Sequence, residues 1–203
     1  MVRDAINEIM LSNPDAVWLT MPVMFPDVAR RPVGPFSCAD WLVFEKIVYV
    51  GIGVEDPAHI DDTTVPRSAN DEYTTETMRR LLKPYGWDVK PWYFSQKFSY
   101  HIDCVVKPLE RGLMIFPKES VWHVPDEIKD WEVIEVDPKE QAKGACNCLV
   151  LDRKKVVIRK GVPKIVKELE KRNFDVIEID YETIWNLTGS GIHCSVMQLW
   201  REF

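Results

Sequence analysis

Hydrophobic and polar positions follow two different periods along this chain. From Trp41 to Ile52 the run WLVFEKIVYVGI is rich in β-branched and aromatic residues, interrupted only at Glu45-Lys46. That pattern predicts a hairpin. Residues 54–70 are acidic and turn-rich and read as a loop. Between Glu72 and Gly86 the period lengthens: Met78, Leu81, Leu82 and Tyr85 fall at i, i+3, i+4 and i+7, ahead of Pro84 and Gly86. This predicts a helix with one apolar face and a defined stop. Trp87–Phe94 reads as a strand, and His101–Leu109 and Leu113–Phe116 as two more, joined by the turn Glu110-Arg111-Gly112. Trp131–Val136, Cys148–Leu151 and Val156–Ile158 are short strand-like runs, with Asp152-Arg153-Lys154 turning between the last two. A second helix is predicted over Val162–Arg172, with Val162, Ile165, Val166 and Leu169 as its stripe and Asn173 as its stop. Phe174–Ile179 and Ile192–Trp200 are the last predicted strands. At the other end Pro14, Pro22, Pro26, Pro32 and Pro35 break up any long element, so residues 1–35 are expected to be irregular. The beat of strand pair, helix, strand recurs at intervals of several tens of residues. It predicts an α/β architecture of radially repeated units in a single domain covering 1–203.

Composition narrows this picture. With 203 residues, 46% of them hydrophobic, the chain is long enough for a buried core. The net charge is -6 and Lys and Arg are interspersed with acids, which gives no electrostatic footprint for nucleic acid. No run approaches the roughly 18 apolar residues of a membrane span. Arg3, Asp4, Asn7 and Glu8 leave no apolar core for a secretory leader, so a cytoplasmic protein is expected. The five cysteines (Cys38, Cys104, Cys146, Cys148 and Cys194) lack paired zinc spacing, and Cys146-Asn147-Cys148 is too tight for a CxxC knuckle. Reduced thiols are therefore expected, which leaves one cysteine free to act as a nucleophile, and covalent thiol chemistry would need no metal or organic cofactor.

Two strings carry candidate chemistry. In a strand, His101 and Asp103 of His101-Ile102-Asp103 would project to the same face. A carboxylate there suits a planar guanidinium, and an imidazole can move protons near neutral pH. The plain alternative is a strand histidine with an incidental aspartate. In Gly189-Ser190-Gly191-Ile192-His193-Cys194-Ser195 the glycines permit a tight backbone ahead of a cysteine. That cysteine can attack carbon if a cation stabilises its thiolate. Its plain alternative is a glycine turn followed by a buried cysteine packing as a small hydrophobe.

Taken together and in this order, His101-Ile102-Asp103-Cys104, Ala145-Cys146-Asn147-Cys148-Leu149-Val150-Leu151 and Gly189-Ser190-Gly191-Ile192-His193-Cys194 resemble the amidinotransferase branch of the pentein superfamily of guanidino-group-modifying enzymes, of the glycine/inosamine-phosphate type. Thr77–Gly86 resembles the helix and turn before the histidine segment, and Trp200-Arg201 the exit after the cysteine. The likeness spans about residues 36–203. It implies a pentein-type α/β propeller of ββαβ modules, here incomplete at about four of five because the N-terminal part is short. It further implies transfer of the amidino group of arginine to an amine acceptor through an amidino-cysteine. Cys194 would be the nucleophile, His101 the acid and then base, and Asp103 the guanidinium anchor. Asn147 would support the site, while Gly191 and His193 would shape the backbone around the thiolate. Cys104, Cys146 and Cys148 are left as core residues.

One motif departs from the family. The acid-small-small-Asp string before the first hairpin reads Ser37-Cys38-Ala39-Asp40, so Asp40 matches the substrate-binding position while Ser37 replaces the carboxylate expected beside the catalytic histidine. Serine cannot stabilise an imidazolium by charge. Three readings therefore stay open: amidinotransferase, guanidine hydrolase of the arginine or agmatine deiminase kind, and an impaired pentein-fold binding protein. Arginine and a small amine are the expected partners, with a second copy or another chain supplying the missing module. The acceptor is not legible in the residues.

Overall fold

The computed structural model describes residues 41–196. Three small sheets follow one another along the chain and repeat one plan. In the first, β1 (Trp41–Phe44) and β2 (Ile47–Val54) form the predicted hairpin. β3 (Ser68–Ala69) pairs with the end of β2, and β4 (Asp88–Ser95) returns parallel to β2. In the second, β5 (Lys107–Glu110) and β6 (Leu113–Phe116) are antiparallel and β7 (Glu132–Glu135) is parallel to β6. In the third, β8 (Leu149–Asp152) and β9 (Lys155–Arg159) are antiparallel and β10 (Asp175–Ile179) is parallel to β9. This hairpin, crossover and parallel return is the expected ββαβ beat. Three such units are formed among the described residues; the fourth of the expected modules is not.

The crossovers show why the sequence folds this way. Helix α1 (Glu72–Leu82) is capped by Asp71, whose carboxylate accepts from the Thr74 backbone N–H at 2.7 Å. It runs on into a 3-10 turn, Lys83–Tyr85, that ends at Gly86, which takes the left-handed conformation (φ 76°) open to glycine. Its buried stripe is narrower than predicted. Thr75 and Met78 are buried and Leu82 is half-buried against β2 and β4, whereas Leu81 and Tyr85 are exposed. The helix touches its sheet along one edge, so only one of the two adjacent apolar rows finds a partner.

In the second unit the connection from β6 to β7 is not a helix but two 3-10 turns, Lys118–Ser120 and Asp126–Ile128. Two short helices follow that the periodicity did not reveal: α2 (Pro138–Gln141), and, after β10, α4 (Glu182–Thr188). Between them α3 (Pro163–Glu170) buries Ile165, Val166 and Leu169 as predicted, and Asn173 takes a positive φ of 62° at its end.

The cores knit neighbouring sheets together. Leu42, Phe44, Tyr49, Trp92 and Phe94 from the first sheet pack with Met114 and Phe116 from the second. Leu109, Leu113, Ile115 and Ile134 from the second pack with Val150, Val156 and Ile158 from the third. Each fully buried large apolar side chain is worth about 1.5–3 kcal/mol relative to exposure, so the angles between sheets are held by many such contacts. Among the described residues no helix is long and apolar enough to cross a membrane.

Candidate active site

The second and third units are entered through short irregular segments just ahead of β5 and β8, and the chemistry gathers there and in the turn after α4. The segment ahead of β5 is not the predicted strand. Ile102–Cys104 is a 3-10 turn with His101 at its N-cap, and the strand starts only at Lys107. The apolar run misled the period-2 reading because Ile102, Cys104, Val105 and Val106 are all buried. A strand covered on one face would leave alternate residues outside. In a turn of about three residues per revolution, His101 and Asp103 do not share a face as they would in a strand. The turn is seated by Ile102, which presses against Gly51 of β2; a Cβ on Gly51 would lie 2.4 Å from the Ile102 Cβ. Gln141, from α2, donates to the Cys104 carbonyl at 2.8 Å.

The cysteine segment likewise begins as a turn. After α4 the chain is stopped by Gly189 (φ 67°), whose N–H reaches the Trp185 carbonyl at 2.8 Å. His193–Ser195 is then a 3-10 turn rather than the start of a strand at Ile192. Residues after 196 of that predicted strand lie outside the described residues. The turn is pinned by the Tyr181 hydroxyl, 2.5 Å from the Ser195 Oγ, and by the Ser195 hydroxyl donating to the Gly191 carbonyl at 3.1 Å.

Asn147, two residues ahead of β8, stands between these turns. Its Oδ1 accepts from the Cys194 backbone N–H at 3.2 Å. Its Nδ2 lies 3.1 Å from the Asp103 Oδ2, the Cys104 Sγ and the Cys194 Sγ. The His193 N–H reaches the Asn147 carbonyl at 3.3 Å. Gly191 is needed for this approach: a Cβ there would lie 2.3 Å from the Asn147 Oδ1.

Asp103 is fully buried. Its Oδ2 accepts from Asn147 and from the Cys194 thiol (3.2 Å), and the His193 Nδ1 is 2.8 Å away. Its Oδ1 is buried with no hydrogen-bond partner among the described residues. Burial pushes the Asp103 carboxyl up. The His193 hydrogen bond and charge, the Cys194 thiol and Lys107 outweigh it, so the net shift is downward and Asp103 is held ionised. Cys194 is half-buried, and its sulfur is 3.5 Å from that of Cys104. Cys104 is pushed well upward by its hydrogen bond with Cys194, by burial and by the nearby Asp103 charge, so it stays a neutral thiol.

Five of the sequence-predicted residues (Asp103, Asn147, Gly191, His193 and Cys194) are thus brought together. His101 stands at the head of the Asp103 turn with its ring edge-on to Tyr100, centroids 4.9 Å apart. Asp40 and Ser37 lie outside the described residues. Two features were not foreseen. The His193 ring, beyond shaping the backbone, pairs directly with Asp103. Cys104, expected only to fill the core, touches the Cys194 sulfur. Cys146 and Cys148 do pack in the core between the second and third sheets. Asp103, Cys104 and Cys194 also present ligand atoms within 4.8 Å of one another.

This arrangement of repeated units and converging entry segments has relatives among solved structures. SxtG, an amidinotransferase from Microseira wollei in saxitoxin biosynthesis, superposes with a TM-score of 0.66 at 20% identity, covering 99% of this chain and 62% of that one. The dimethylarginine dimethylaminohydrolase of Pseudomonas aeruginosa in complex with citrulline gives 0.54 at 19% identity, over 70% and 48% of the two chains. In sequence, the L-arginine:L-lysine amidinotransferase of Pseudomonas savastanoi pv. phaseolicola is 24% identical over 119 residues, 53% of this chain and 32% of that enzyme. The chain is similar to amidinotransferases and dimethylarginine hydrolases of the pentein kind. Its mixed α/β fold is that of an incomplete pentein propeller. The family model for N,N dimethylarginine dimethylhydrolase, eukaryotic, matches residues 120–201 of the chain. The chain spans about half or less of the length of the curated relatives it matches.

Proposed function

We propose that this chain modifies guanidino groups through Cys194, and that it moves the amidino group of arginine to an amine. The observation that carries this reading is the buried Asp103 carboxylate. One of its oxygens is engaged by Cys194 and His193, while the other has no donor among the described residues. A buried acceptor without a partner costs about 1–3 kcal/mol, and more when it is charged. A guanidinium N–H supplies what is missing, through a charge-assisted bond. A guanidinium held there brings its carbon close to the Cys194 sulfur, and its positive charge favours the thiolate.

Cys194 then attacks the guanidinium carbon, and the bond from that carbon to the side-chain nitrogen of arginine breaks. The thiol proton, relayed by His101, ends on the leaving nitrogen, ornithine departs, and the amidino group stays on sulfur. In the second half-reaction the acceptor amine gives a proton to His101 and bonds the amidino carbon. The carbon–sulfur bond breaks and the thiol is restored. Asn147 holds the Cys194 turn and the Asp103 carboxylate in register. His193 keeps Asp103 oriented, and Gly191 lets Asn147 approach. Asp40, one residue ahead of β1, is assigned a substrate-binding role by its position in the motif.

A hydrolase reading is favoured by a different observation: the dimethylhydrolase family model covers Asn147, Gly191, His193 and Cys194. In that chemistry a small amine leaves first, the rest of the substrate stays on sulfur, and water completes the reaction. The two readings break different carbon–nitrogen bonds, so the adduct discriminates them. Intact-mass measurement after incubation with arginine, beside a Cys194→Ala control, is expected to show a single amidino group on the wild-type protein only. Ornithine release should then require an added amine. An adduct retaining the arginine carbon chain, or citrulline formed without an acceptor, would give the hydrolase reading. A folded protein with no adduct would leave guanidino binding alone, in keeping with Ser37.

A further inference from the structure

The two sulfurs at the junction of the turns are placed for a reaction with each other. We propose that Cys104 and Cys194 form an oxidative modification site, closing a reversible disulfide when a hydroperoxide reaches Cys194. The inference rests on the position of the two thiols and goes beyond any particular guanidino reaction.

Several observations converge on it. The sulfurs are 3.5 Å apart and must approach by about 1.5 Å to bond. Both sit on 3-10 turns, Ile102–Cys104 and His193–Ser195, outside the paired strands. A turn can shift by that distance without breaking sheet ladders. The Asn147 Nδ2, 3.1 Å from each sulfur, keeps them facing one another. Accessibility sets the order of events. Cys194 is half-buried and reachable, whereas Cys104 is buried and held as a thiol. Cys146 and Cys148, the other described cysteines, are buried in the core with their thiols pushed upward by burial, Cys148 to about 11.

With hydrogen peroxide the electrons balance as follows. The Cys194 sulfur attacks one peroxide oxygen, the O–O bond breaks, and one water leaves, making a sulfenic acid. The Cys104 sulfur attacks the Cys194 sulfur, the S–O bond breaks, and the hydroxyl leaves with the Cys104 proton as a second water. Two electrons have passed from the sulfur pair to the peroxide. A dithiol reverses the change by exchange. While the link stands, Cys194 has no thiol with which to attack carbon, and Cys104 protects it from irreversible over-oxidation.

The test uses the unaltered chain. After brief exposure to about one equivalent of hydrogen peroxide, the intact mass should fall by two hydrogen atoms, with peptide mapping joining Cys104 to Cys194. Iodoacetamide labelling of both, carried out after unfolding in urea, should drop about tenfold and return with dithiothreitol. In Cys104→Ala, Cys194 should instead gain oxygen atoms and become refractory to dithiothreitol. Oxygen added to Cys194 of the unaltered protein without a cross-link would overturn the proposal, as would a link that joins other cysteines. These readouts are masses, so they stand or fall separately from turnover of any guanidine.

Discussion

Replacing Asn147 by alanine tests whether one amide organises the whole centre. The side chain is buried, its Oδ1 satisfies the Cys194 backbone N–H, and its Nδ2 faces a buried, ionised carboxylate and two sulfurs. A hydrogen bond to a charged group is worth about 1.5–3 kcal/mol, and an ordinary one about 1 kcal/mol. The sulfur contacts add little, and the small cavity is partly open to collapse by the neighbouring Gly191. The sum is a loss of about 3 kcal/mol, well inside the roughly 5–15 kcal/mol that holds a domain of ordinary stability. Asn147→Ala should therefore still fold, with a melting temperature lower by about 6–12 °C for a chain of this size. Cys194 should become more readily alkylated, and its amide should exchange faster with deuterium. Asn147→Asp keeps the acceptor but sets a second carboxylate against Asp103, so one of the pair must take up a proton. That variant should regain stability as pH is lowered from about 7 to 5, a range over which the Asp103 contribution in the wild type stays level. A melting point within about 1 °C of wild type for Asn147→Ala, together with unchanged alkylation, would refute the claim that this amide sets the site.

Two further expectations follow from the same contacts. Gly191→Ala places a methyl 2.3 Å from the Asn147 Oδ1, a clash that neither turn can relieve cheaply. Its urea midpoint should fall by the equivalent of about 1–3 kcal/mol with an unchanged m-value, and a wild-type midpoint would show that the turns yield more easily than their contacts imply. Asp103 has its carboxyl held below the usual 3.8, so its folded-state contribution is fully present above that value and is lost as pH falls through the lower, folded value. The stability gap between wild type and Asp103→Asn, from urea unfolding, should be level at neutral pH and close only below about pH 4; a gap that closes near pH 6 would mean that Asp103 is not held ionised.

The repeating plan was legible because it is written in local patterns. The β1–β2 hairpin turns where Glu45-Lys46 interrupts the apolar run, and α3 shows its stripe through Ile165, Val166 and Leu169. The two chemical strings were legible as strings, but their backbone was not. The apolar run at Ile102–Val106 satisfies strand propensity equally well. What makes it a turn is distant: Gly51 receiving Ile102, Gln141 on the Cys104 carbonyl, and Asn147 on Asp103. Tertiary contacts of that kind override a propensity worth less than about 1 kcal/mol per residue. Leu81 and Tyr85 failed as core residues for a related reason, since periodicity gives a helix its apolar rows but not the neighbour that covers them. The Cys104–Cys194 contact joins residues ninety positions apart, and nothing local to either one signals it.

Asp103, Asn147 and Cys194 each sit just ahead of a strand or at the end of a helix belonging to a different stretch of the chain, and they meet where the units close on one another. The centre is therefore a vertex, and its accuracy is angular. A tilt of roughly 4° between two sheets, acting over a strand length of about 17 Å, displaces one member by about 1 Å. Displacements of that size cost on the order of a hundredfold in rate for reactions that depend on alignment. Side chains such as Phe116 and Ile158, which touch neither thiol nor carboxylate but wedge adjacent sheets apart at a fixed angle, thereby act as set-screws on the distance between sulfur and carboxylate.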